Sequence, residues 1–203
     1  MEVLPYDGQK KYRISVFGLK RELPVINVAP GIWIASNAEL VLGDVEFIKR
    51  AGEELSERIR TFNPDVILTP EAKSMAIAYE VSNGLGHKRF VVARKGVKAY
   101  MKGHVCEEVK SITTKETQRL ILESQSAKHL KKKRVCLLDD VVSTGGTMEA
   151  MERLVLRAGG SVACRTAVWK EGPWYKNELI CLFTLPIFLS REKFCQFGEA
   201  ART

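Results

Sequence analysis

The stretch from Val135 to Ala158 constrains the fold of this chain more than any other. Four apolar residues lead into Asp139 and Asp140, and small residues at 143–147 then lead into a helix with one apolar face. Short apolar strands followed directly by helices are typical of a parallel sheet covered on both faces. Such sheets bind ligands at the carboxyl ends of their strands. The stretch therefore predicts an α/β fold with a ligand site around the two acids.

The remainder of the chain repeats this pattern of strands and helices. A helix is predicted from about Asp44 to Thr61, with Asp44 as its N-cap and Pro64 just beyond its end. Further helices are predicted near Met75–Val81 and over Met148–Ala158. Short apolar strands are predicted at 66–68, 90–93, 135–138, 162–169 and 179–185. Together these elements predict a Rossmann-like, mostly parallel sheet flanked by helices.

The part of the chain between residues 94 and 122 departs from the pattern. Arg94 to Glu108 is predicted to be a long polar connection, of the kind that is often functional. Val109–Thr113 and Gln118–Leu122 are predicted to pair as a hairpin.

Composition favours one soluble globular domain over disordered, fibrous or membrane chains, because 45% of the 203 residues are hydrophobic and 28% are charged. The longest apolar stretch, Leu179–Leu189, is shorter than the ~20 residues that a membrane span needs. We therefore expect a cytoplasmic protein without a membrane partner. The five cysteines form no C-x-x-C pair, so the sequence indicates neither a disulfide framework nor a zinc site.

Positive charge is concentrated in the middle of the chain. The formal net charge is +8, yet residues 87–134 alone carry an excess of ten positive charges. Such a segment is typical either of a protein that binds an anionic partner or of an ordinary solvated face. The anionic partner would be a polyphosphate metabolite or a nucleic acid.

Residues 143–147 have the features of a phosphate-binding loop. A tight Gly-Gly turn at a helix N-terminus exposes backbone N–H groups, and the helix dipole favours an anion there. The neighbouring carboxylates suit sugar hydroxyls, so the pair of features predicts a phosphorylated sugar as ligand. A plain hairpin turn is the alternative, but it explains neither the preceding strand nor the following helix.

The residues from Val135 to Thr147 resemble the signature of the type I phosphoribosyltransferases, which bind 5-phosphoribosyl-1-pyrophosphate (PRPP). The resemblance implies that Asp139 and Asp140 are catalytic residues that hold the ribose hydroxyls. It also implies that five residues hold the 5′-phosphate, namely Ser143, Thr144, Gly145, Gly146 and Thr147.

Two further segments are similar to the pyrophosphate-binding parts of that family. Residues 70–74 resemble its pyrophosphate loop, although Lys73 replaces the usual Arg and Ser74 the usual Gly. Residues 94–98 resemble a basic stretch that often contacts pyrophosphate across a dimer interface. The implied pyrophosphate-binding residues are Glu71, Ala72, Lys73, Ser74, Arg94, Lys95 and Lys98.

The similarity is greatest to the adenine branch of the family, through the segment Pro30-Gly31-Ile32. This similarity suggests a purine base as acceptor, with Trp33, Ile34 and Val142 as base-binding residues. Ser143 is similar to the residue of the adenine, orotate and xanthine branches, and it does not separate those three.

The resemblance also implies the architecture and the reaction. Residues 1–203 would form a single domain with a core at about 40–170, a small hood from the N-terminal ~40 residues and the C-terminal region, and a mobile hairpin loop. The resemblance also implies that the protein forms a homodimer. The reaction would produce a nucleoside 5′-monophosphate and pyrophosphate in purine salvage, with Mg²⁺ held mainly through PRPP.

A regulator is the alternative from another functional class. It would keep the fold to sense PRPP and would bind RNA or DNA, for which the basic residues 128–134 are the candidate surface. Nucleic acid is the less favoured partner, because a basic run before a strand is more often solvated.

Overall fold

The computed structural model describes residues 3–99, 101–109 and 118–200. These residues form twelve strands and six helices. In chain order the elements are β1 Val3–Pro5, β2 Lys11–Val16, β3 Leu19–Ala29, β4 Ile32–Ala35, α1 Ala38–Gly43, α2 Val45–Arg60, β5 Val66–Pro70, α3 Met75–Gly84, β6 Val91–Ala93, β7 His104–Val109, β8 Gln118–Glu123, α4 Ser124–Lys128, β9 Arg134–Val142, α5 Gly146–Arg157, β10 Ser161–Glu171, β11 Ile180–Leu185, β12 Ile187–Leu189 and α6 Arg191–Ala200.

The central sheet has five strands in the order β11-β10-β9-β5-β6, and every neighbouring pair is parallel. All five residues of β5 are buried, as a strand covered on both faces requires. Strand β9 extends beyond the predicted 135–138 to Val142, so Asp139 and Asp140 belong to the strand itself. The predicted fold class, a mostly parallel α/β sheet flanked by helices, is confirmed.

Each face of the central sheet packs against helices, because successive residues of a strand point to opposite faces. Ile67 and Leu138 lie in a cluster with the apolar faces of α2 and α3. Leu68 and Leu137 lie in a second cluster with α5 and the pair β7 and β8.

Helix α2 shows how the sequence fixes these layers. The Asp44 carboxylate accepts a hydrogen bond from the Phe47 N–H at 3.0 Å and caps the helix. Phe47, Leu55 and Ile59 follow at helical spacing and are fully buried. The predicted bounds of this helix and its N-cap are therefore confirmed.

A second sheet of five strands, in the order β1-β12-β4-β3-β2, combines strands within residues 3–35 with 187–189. Its pairs are antiparallel except for β1 and β12. These segments are the ones from which the hood was predicted, and the division of the chain into domains stays a prediction. The chain leaves this sheet at β4 and turns into α1, which brings Asn37 toward the central sheet.

Strands β7 and β8 form an antiparallel hairpin, with Glu107 opposite Leu120. The prediction of a polar connection from Arg94 to Glu108 is wrong over 104–108, where β7 already runs. Its charged pattern hides the strand, because the Glu107 carboxylate is neutralised by Arg153 and Arg157 of α5. The predicted strand residues 110–113 and the turn up to 117 lie outside the described residues.

Among the described residues, no helix is long and apolar enough to cross a membrane.

Candidate active site

Two adjoining cavities, of about 210 and 140 Å³, lie at the carboxyl ends of β5 and β9. Most of the predicted site residues line them. The first is lined by Pro70, Glu71, Ala72, Lys73, Ser74, Lys95, Val109, Gln118, Arg119, Leu120, Asp139, Asp140, Val141 and Thr147. The second is lined by Val109, Gln118, Asp139, Val141, Val142, Ser143, Thr144, Gly145, Gly146, Thr147 and Met148. Their shared residues include Asp139 and Thr147, so the two cavities form one site.

The two acids at the end of β9 are buried, at 6% and 4% exposure for Asp139 and Asp140. Lys73 Nζ donates to Asp140 Oδ2 at 2.7 Å, and Asn37 Nδ2 donates to the same oxygen at 3.2 Å. The Asp140 backbone N–H donates to Asp139 Oδ1 at 2.8 Å. Burial, together with the neighbouring Asp140 carboxylate, raises the pKa of Asp139 well above its usual value. Asp140 is therefore the carboxylate that is paired with a cation.

Residues 143–147 connect β9 to α5 in a tight turn. Gly145 has a φ of +90°, which favours glycine, and helix α5 begins at Gly146. A Cβ on Gly145 would lie 2.2 Å from the ring of Tyr175, so a side chain does not fit there. The first N–H groups of a twelve-residue helix have no partner within the helix, and they face this turn. This loop has the features that an anion requires.

The loop after β5 is tied to the end of β6. Glu71 accepts hydrogen bonds from Arg94 Nη2 at 3.1 Å and from the Lys95 backbone N–H at 3.2 Å. Ala72 follows a cis peptide bond after Glu71. The buried Ser74 hydroxyl accepts from Thr69 Oγ1 at 2.8 Å and is turned toward the protein.

The predicted cations differ in how they face the site. Lys73 and Lys95 line the first cavity, and Lys98 is exposed and lies outside the lining of both. Arg119 of β8 also lines the first cavity, although the predicted set leaves it out. Its position in the hairpin register, opposite Glu108, brings it to the site.

The predicted base-binding residues are divided between the two sheets. Val142 is buried and lines the second cavity. Trp33 and Ile34 lie on β4 of the other sheet, where Trp33 stacks on Tyr6 with ring centres 3.9 Å apart. Neither residue lines the two cavities, and the roles predicted for all three stay predictions.

Two buried side chains near the acids were not among the predicted site residues. Asn37 is 4% exposed and reaches Asp140 from the end of the second sheet. Glu171 is 7% exposed at the end of β10, and burial raises its pKa to about 7. An acid that ends an apolar strand beside β9 is the sequence signal for Glu171, whereas Asn37 carries no local signal.

Protein ligands for a metal ion are not grouped together in the described part of the chain. Among the described residues, no group of three His, Cys, Asp or Glu side chains is placed to hold a metal ion.

The basic residues 131–134 are exposed at the amino end of β9, the opposite end of that strand from the acids. Arg134 donates to the carbonyl oxygens of Phe62 and Asn63.

The sequence profile of a known family matches residues 43–186 of the chain, and that family is described as the phosphoribosyl transferase domain. The match spans the central sheet, residues 143–147 and both cavities. The chain belongs to this family. The predicted type I phosphoribosyltransferase resemblance and the prediction of a phosphoribosyltransferase enzyme are confirmed.

Curated relatives place the chain beside adenine enzymes of the family. It is 30% identical to the adenine phosphoribosyltransferase of Clostridium novyi over 146 residues, which are 71% of this chain and 81% of that protein. It is 34% identical to the adenine phosphoribosyltransferase of Thermotoga petrophila over 122 residues, 60% of this chain and 68% of that protein.

The fold is shared with solved structures. The crystal structure of adenine phosphoribosyltransferase from Thermoanaerobacter pseudethanolicus matches with a TM-score of 0.66 and 24% identity, covering 80% of this chain and 95% of that chain. A second such enzyme, from Rhodothermus marinus, matches with a TM-score of 0.60 and 22% identity, covering 86% and 94%.

Proposed function

We propose that the protein transfers the 5-phosphoribosyl group of PRPP to a purine-type base, with adenine favoured, and so functions in purine salvage. The products would be a nucleoside 5′-monophosphate and pyrophosphate. The observation that carries the proposal is one continuous site that joins two buried acids, a helix N-terminus and lysines. The adenine phosphoribosyltransferases among the relatives support adenine as the acceptor.

The 5′-phosphate would bind at residues 143–147. The backbone N–H groups at the start of α5 donate to phosphate oxygens, and the helix dipole adds to the attraction. The hydroxyls of Ser143, Thr144 and Thr147 supply further donors, while Gly145 and Gly146 allow the close approach.

The ribose would lie over the acids of β9. Carboxylates accept hydrogen bonds from the sugar hydroxyls and so orient the ring. When the bond from C1 to pyrophosphate breaks, positive charge develops on the ring. Asp140 is buried and forms an ion pair with Lys73 at 2.7 Å, so its carboxylate is already positioned to stabilise that developing charge.

The leaving pyrophosphate would be stabilised by cations of the first cavity. Lys73 and Lys95 line it directly, and Arg94 is held nearby by Glu71. Lys73 pairs with Asp140 at 2.7 Å, so its ammonium would be shared between that acid and the pyrophosphate. A well-aimed donor of this kind stabilises developing charge by roughly 3 kcal/mol.

Mg²⁺ is the metal that we propose for the reaction. Pyrophosphate and ribose oxygens are the hard ligands that this ion prefers, and the ion would be held mainly through them. Asp139 and Asp140 would act on it through the ribose hydroxyls that they orient. When bound, the ion would neutralise charge on the leaving group.

A homodimer is part of the proposal. Lys98 is exposed and lies outside the lining of both cavities. In a dimer it would contact pyrophosphate bound in the site of the second copy. Light scattering of the purified protein measures the mass directly. The cytoplasmic location stays a prediction.

A panel of bases tests the proposed function. Adenine, guanine, hypoxanthine, xanthine, uracil and orotate are each incubated with the protein, PRPP and Mg²⁺, and pyrophosphate release is measured. We expect turnover with adenine above the other bases. Turnover of a different base would show that this base, rather than adenine, is the acceptor. No turnover with any base would overturn the transferase proposal. If PRPP still bound in that case, the result would favour the regulator that senses PRPP.

A further inference from the structure

A side chain from the end of the second sheet reaches the acids of the site. Asn37 lies just after β4, and its Nδ2 donates to Asp140 Oδ2 at 3.2 Å. Both residues are only 4% exposed. A hydrogen bond between two such side chains is costly to lose, because no water replaces the missing partner. The contact therefore fixes the position of both side chains.

The backbone around Asn37 is held on both sides. The Ser36 N–H donates to the Pro24 carbonyl of β3 at 2.9 Å. The Asn37 carbonyl accepts from the Val41 N–H of α1 at 3.1 Å. Asn37 occupies the N-cap position of α1, where an Asn side chain commonly accepts from the first turn of the helix. Among the described residues of α1 its side chain makes no such bond, and its amide contacts Asp140 instead.

Asp140 Oδ2 accepts from two donors of different kinds. Lys73 Nζ donates at 2.7 Å from the loop after β5, and the Lys73 side chain is 43% exposed. Asn37 is a neutral donor and is almost fully buried. Both donors contact Oδ2, so neither uses Oδ1, which could accept from a ribose hydroxyl. The two donors therefore orient the carboxylate without occupying its second oxygen.

The two donors would behave differently once PRPP binds. Lys73 lines the first cavity, where the proposed pyrophosphate would compete with Asp140 for its ammonium. The Asn37 amide carries no charge that pyrophosphate could attract, and Asn37 lines neither cavity. It would keep its bond to Asp140 while the bond from C1 to pyrophosphate breaks. A carboxylate that is already held in place needs no reorganisation when positive charge develops on the ribose.

We propose that Asn37 is a positioning residue that holds the Asp140 carboxylate toward the ribose throughout the transfer. This inference rests on the proposed function, because it assigns the ribose of PRPP to Asp140. It adds a residue from the end of the second sheet to the residues on which the reaction depends. Asn37 acts through Asp140 and does not itself contact the substrate.

The variants Asn37→Leu and Asn37→Asp test this role in the full-length protein. Leucine has nearly the shape of asparagine but donates no hydrogen bond, and aspartate places a second carboxylate beside Asp140. We expect kcat for pyrophosphate release to fall about tenfold or more in both variants, with the KM for the base unchanged. Aspartate caps helices as well as asparagine does. A role confined to the start of α1 would therefore leave Asn37→Asp with the wild-type kcat.

Ser36→Ala is the matched control, because it alters the same turn without removing a contact of Asp140. The Ser36 hydroxyl accepts from the Ala38 N–H at 3.5 Å, beside the start of α1. We expect Ser36→Ala to keep the wild-type kcat and KM. Loss of activity in this control would show that any disturbance of the turn impairs the enzyme, and it would overturn the specific role of Asn37.

A double-mutant cycle with Asp140→Asn shows whether Asn37 acts through Asp140. Once the carboxylate is gone there is no charge to position, so Asn37→Leu should lower the remaining kcat by no more than about twofold. The Kd of PRPP, measured by calorimetry on the same four proteins, gives the cycle without catalysis. We expect Asn37→Leu to weaken PRPP binding only where Asp140 is present. Equal losses in the two backgrounds would overturn the inference.

The outcomes separate the inference from the proposed function. If the wild type turns over a base and either variant of Asn37 keeps the wild-type kcat, the inference fails and the transferase proposal stands. A raised KM for the base at unchanged kcat has the same meaning, since it would place Asn37 against the base.

PRPP binding by the wild type without turnover of any base overturns the transferase proposal, and the cycle in Kd then decides the role of Asn37. If the wild type does not bind PRPP, both fail. Should Asn37→Leu lack the wild-type circular dichroism spectrum, Asn37→Asp replaces it in the cycle.

Discussion

At the scale of single residues, the site is built from buried carboxyls that share few cations. Asp139, Asp140 and Glu171 are each less than 8% exposed, and Lys73 is the ammonium that contacts Asp140. Burying several carboxylates close together is unfavourable unless some of them are protonated. This explains why the pKa values of Asp139 and Glu171 are raised, whereas Asp140 keeps its partner.

The substitution Asp140→Asn tests the role of the paired acid. It removes the charge that faces the developing positive charge of the ribose but keeps the size of the side chain. We expect kcat for pyrophosphate release to fall by about 100-fold or more, with an unchanged circular dichroism spectrum. An unchanged rate in the folded variant would contradict the role assigned to this acid.

Gly145→Ala tests the turn at residues 143–147, the proposed phosphate loop. Its φ of +90° is unfavourable for alanine, and the new Cβ would lie 2.2 Å from the Tyr175 ring. Gly8→Ala is the matched control, because Gly8 has the same φ of +90° with nothing within 4 Å. We expect Gly8→Ala to lower the free energy of unfolding by about 1 kcal/mol, as the backbone conformation alone requires. Gly145→Ala should cost more, measured by urea unfolding, and equal losses would contradict a steric role of Tyr175.

The sequence could predict that the two acids and residues 143–147 lie at one site. Asp139, Asp140 and the loop that follows are consecutive, so one segment contains both the chemistry and the strand, turn and helix that position it. Asn37 is 103 residues away from its partner Asp140. Nothing in its neighbours along the chain indicates that contact, because it depends on how the second sheet meets the first.

At the scale of elements, the hairpin of β7 and β8 is fastened to the helix that starts at the phosphate loop. Glu107 accepts hydrogen bonds from Arg153 at 2.9 Å and Arg157 at 2.7 Å, and those arginines lower its pKa. Arg153 and Arg157 also donate to backbone carbonyls of the hairpin. The helix therefore holds both the loop and the hairpin strand that borders the cavities.

Glu107→Ala tests this attachment, with Glu108→Ala as its neighbour on the same strand. The Glu107 side chain is 14% exposed and has two partners, whereas that of Glu108 is 63% exposed with Arg119 at 3.5 Å. We expect Glu107→Ala to cost about 1 to 2 kcal/mol and Glu108→Ala close to zero. Faster hydrogen exchange of the β7 and β8 amides in Glu107→Ala would locate the loss. Equal exchange in both variants would contradict the attachment.

The hairpin also shows why part of an element escapes prediction. Residues 104–108 are polar or charged enough to suggest a loop, and their pairing depends on arginines about 50 residues further along the chain. By contrast, β5 and β9 each contain a short continuous apolar run, at 66–68 and 135–138, and the strand type of these runs follows from composition and length.

At the scale of the whole molecule, two sheets meet at the site. The parallel sheet contributes the acids, the phosphate loop and Glu171, and the end of the second sheet contributes Asn37. The parallel sheet was predictable from its alternation of apolar strands and helices. The second sheet was not, since β12 joins strands from the opposite end of the chain and that pairing has no local signal.

The raised pKa of Glu171 predicts how stability depends on pH. In the folded protein this carboxyl stays protonated up to about pH 7, whereas in the unfolded chain it ionises near 4.5. The folded state binds more protons in between, so the free energy of unfolding falls as pH rises from about 5 to 7.5. Glu171 alone would account for about 2 kcal/mol of this fall.

Urea unfolding of the ligand-free protein at pH 5.5 and 7.5 measures this dependence. Wild type and Glu178→Gln, which removes the same charge from an exposed residue between β10 and β11, should lose more stability between the two pH values than Glu171→Gln. The free energy of unfolding of Glu171→Gln still falls with pH, because Asp139 also has a raised pKa. A Glu171→Gln variant that loses as much stability as the wild type would show that Glu171 is ionised throughout.

The most direct test of the account is a crystal structure of the protein with PRPP bound. The account predicts that the 5′-phosphate accepts hydrogen bonds from the backbone of residues 143–147, while the ribose hydroxyls donate to Asp139 and Asp140. A 5′-phosphate bound anywhere else on the molecule would contradict it.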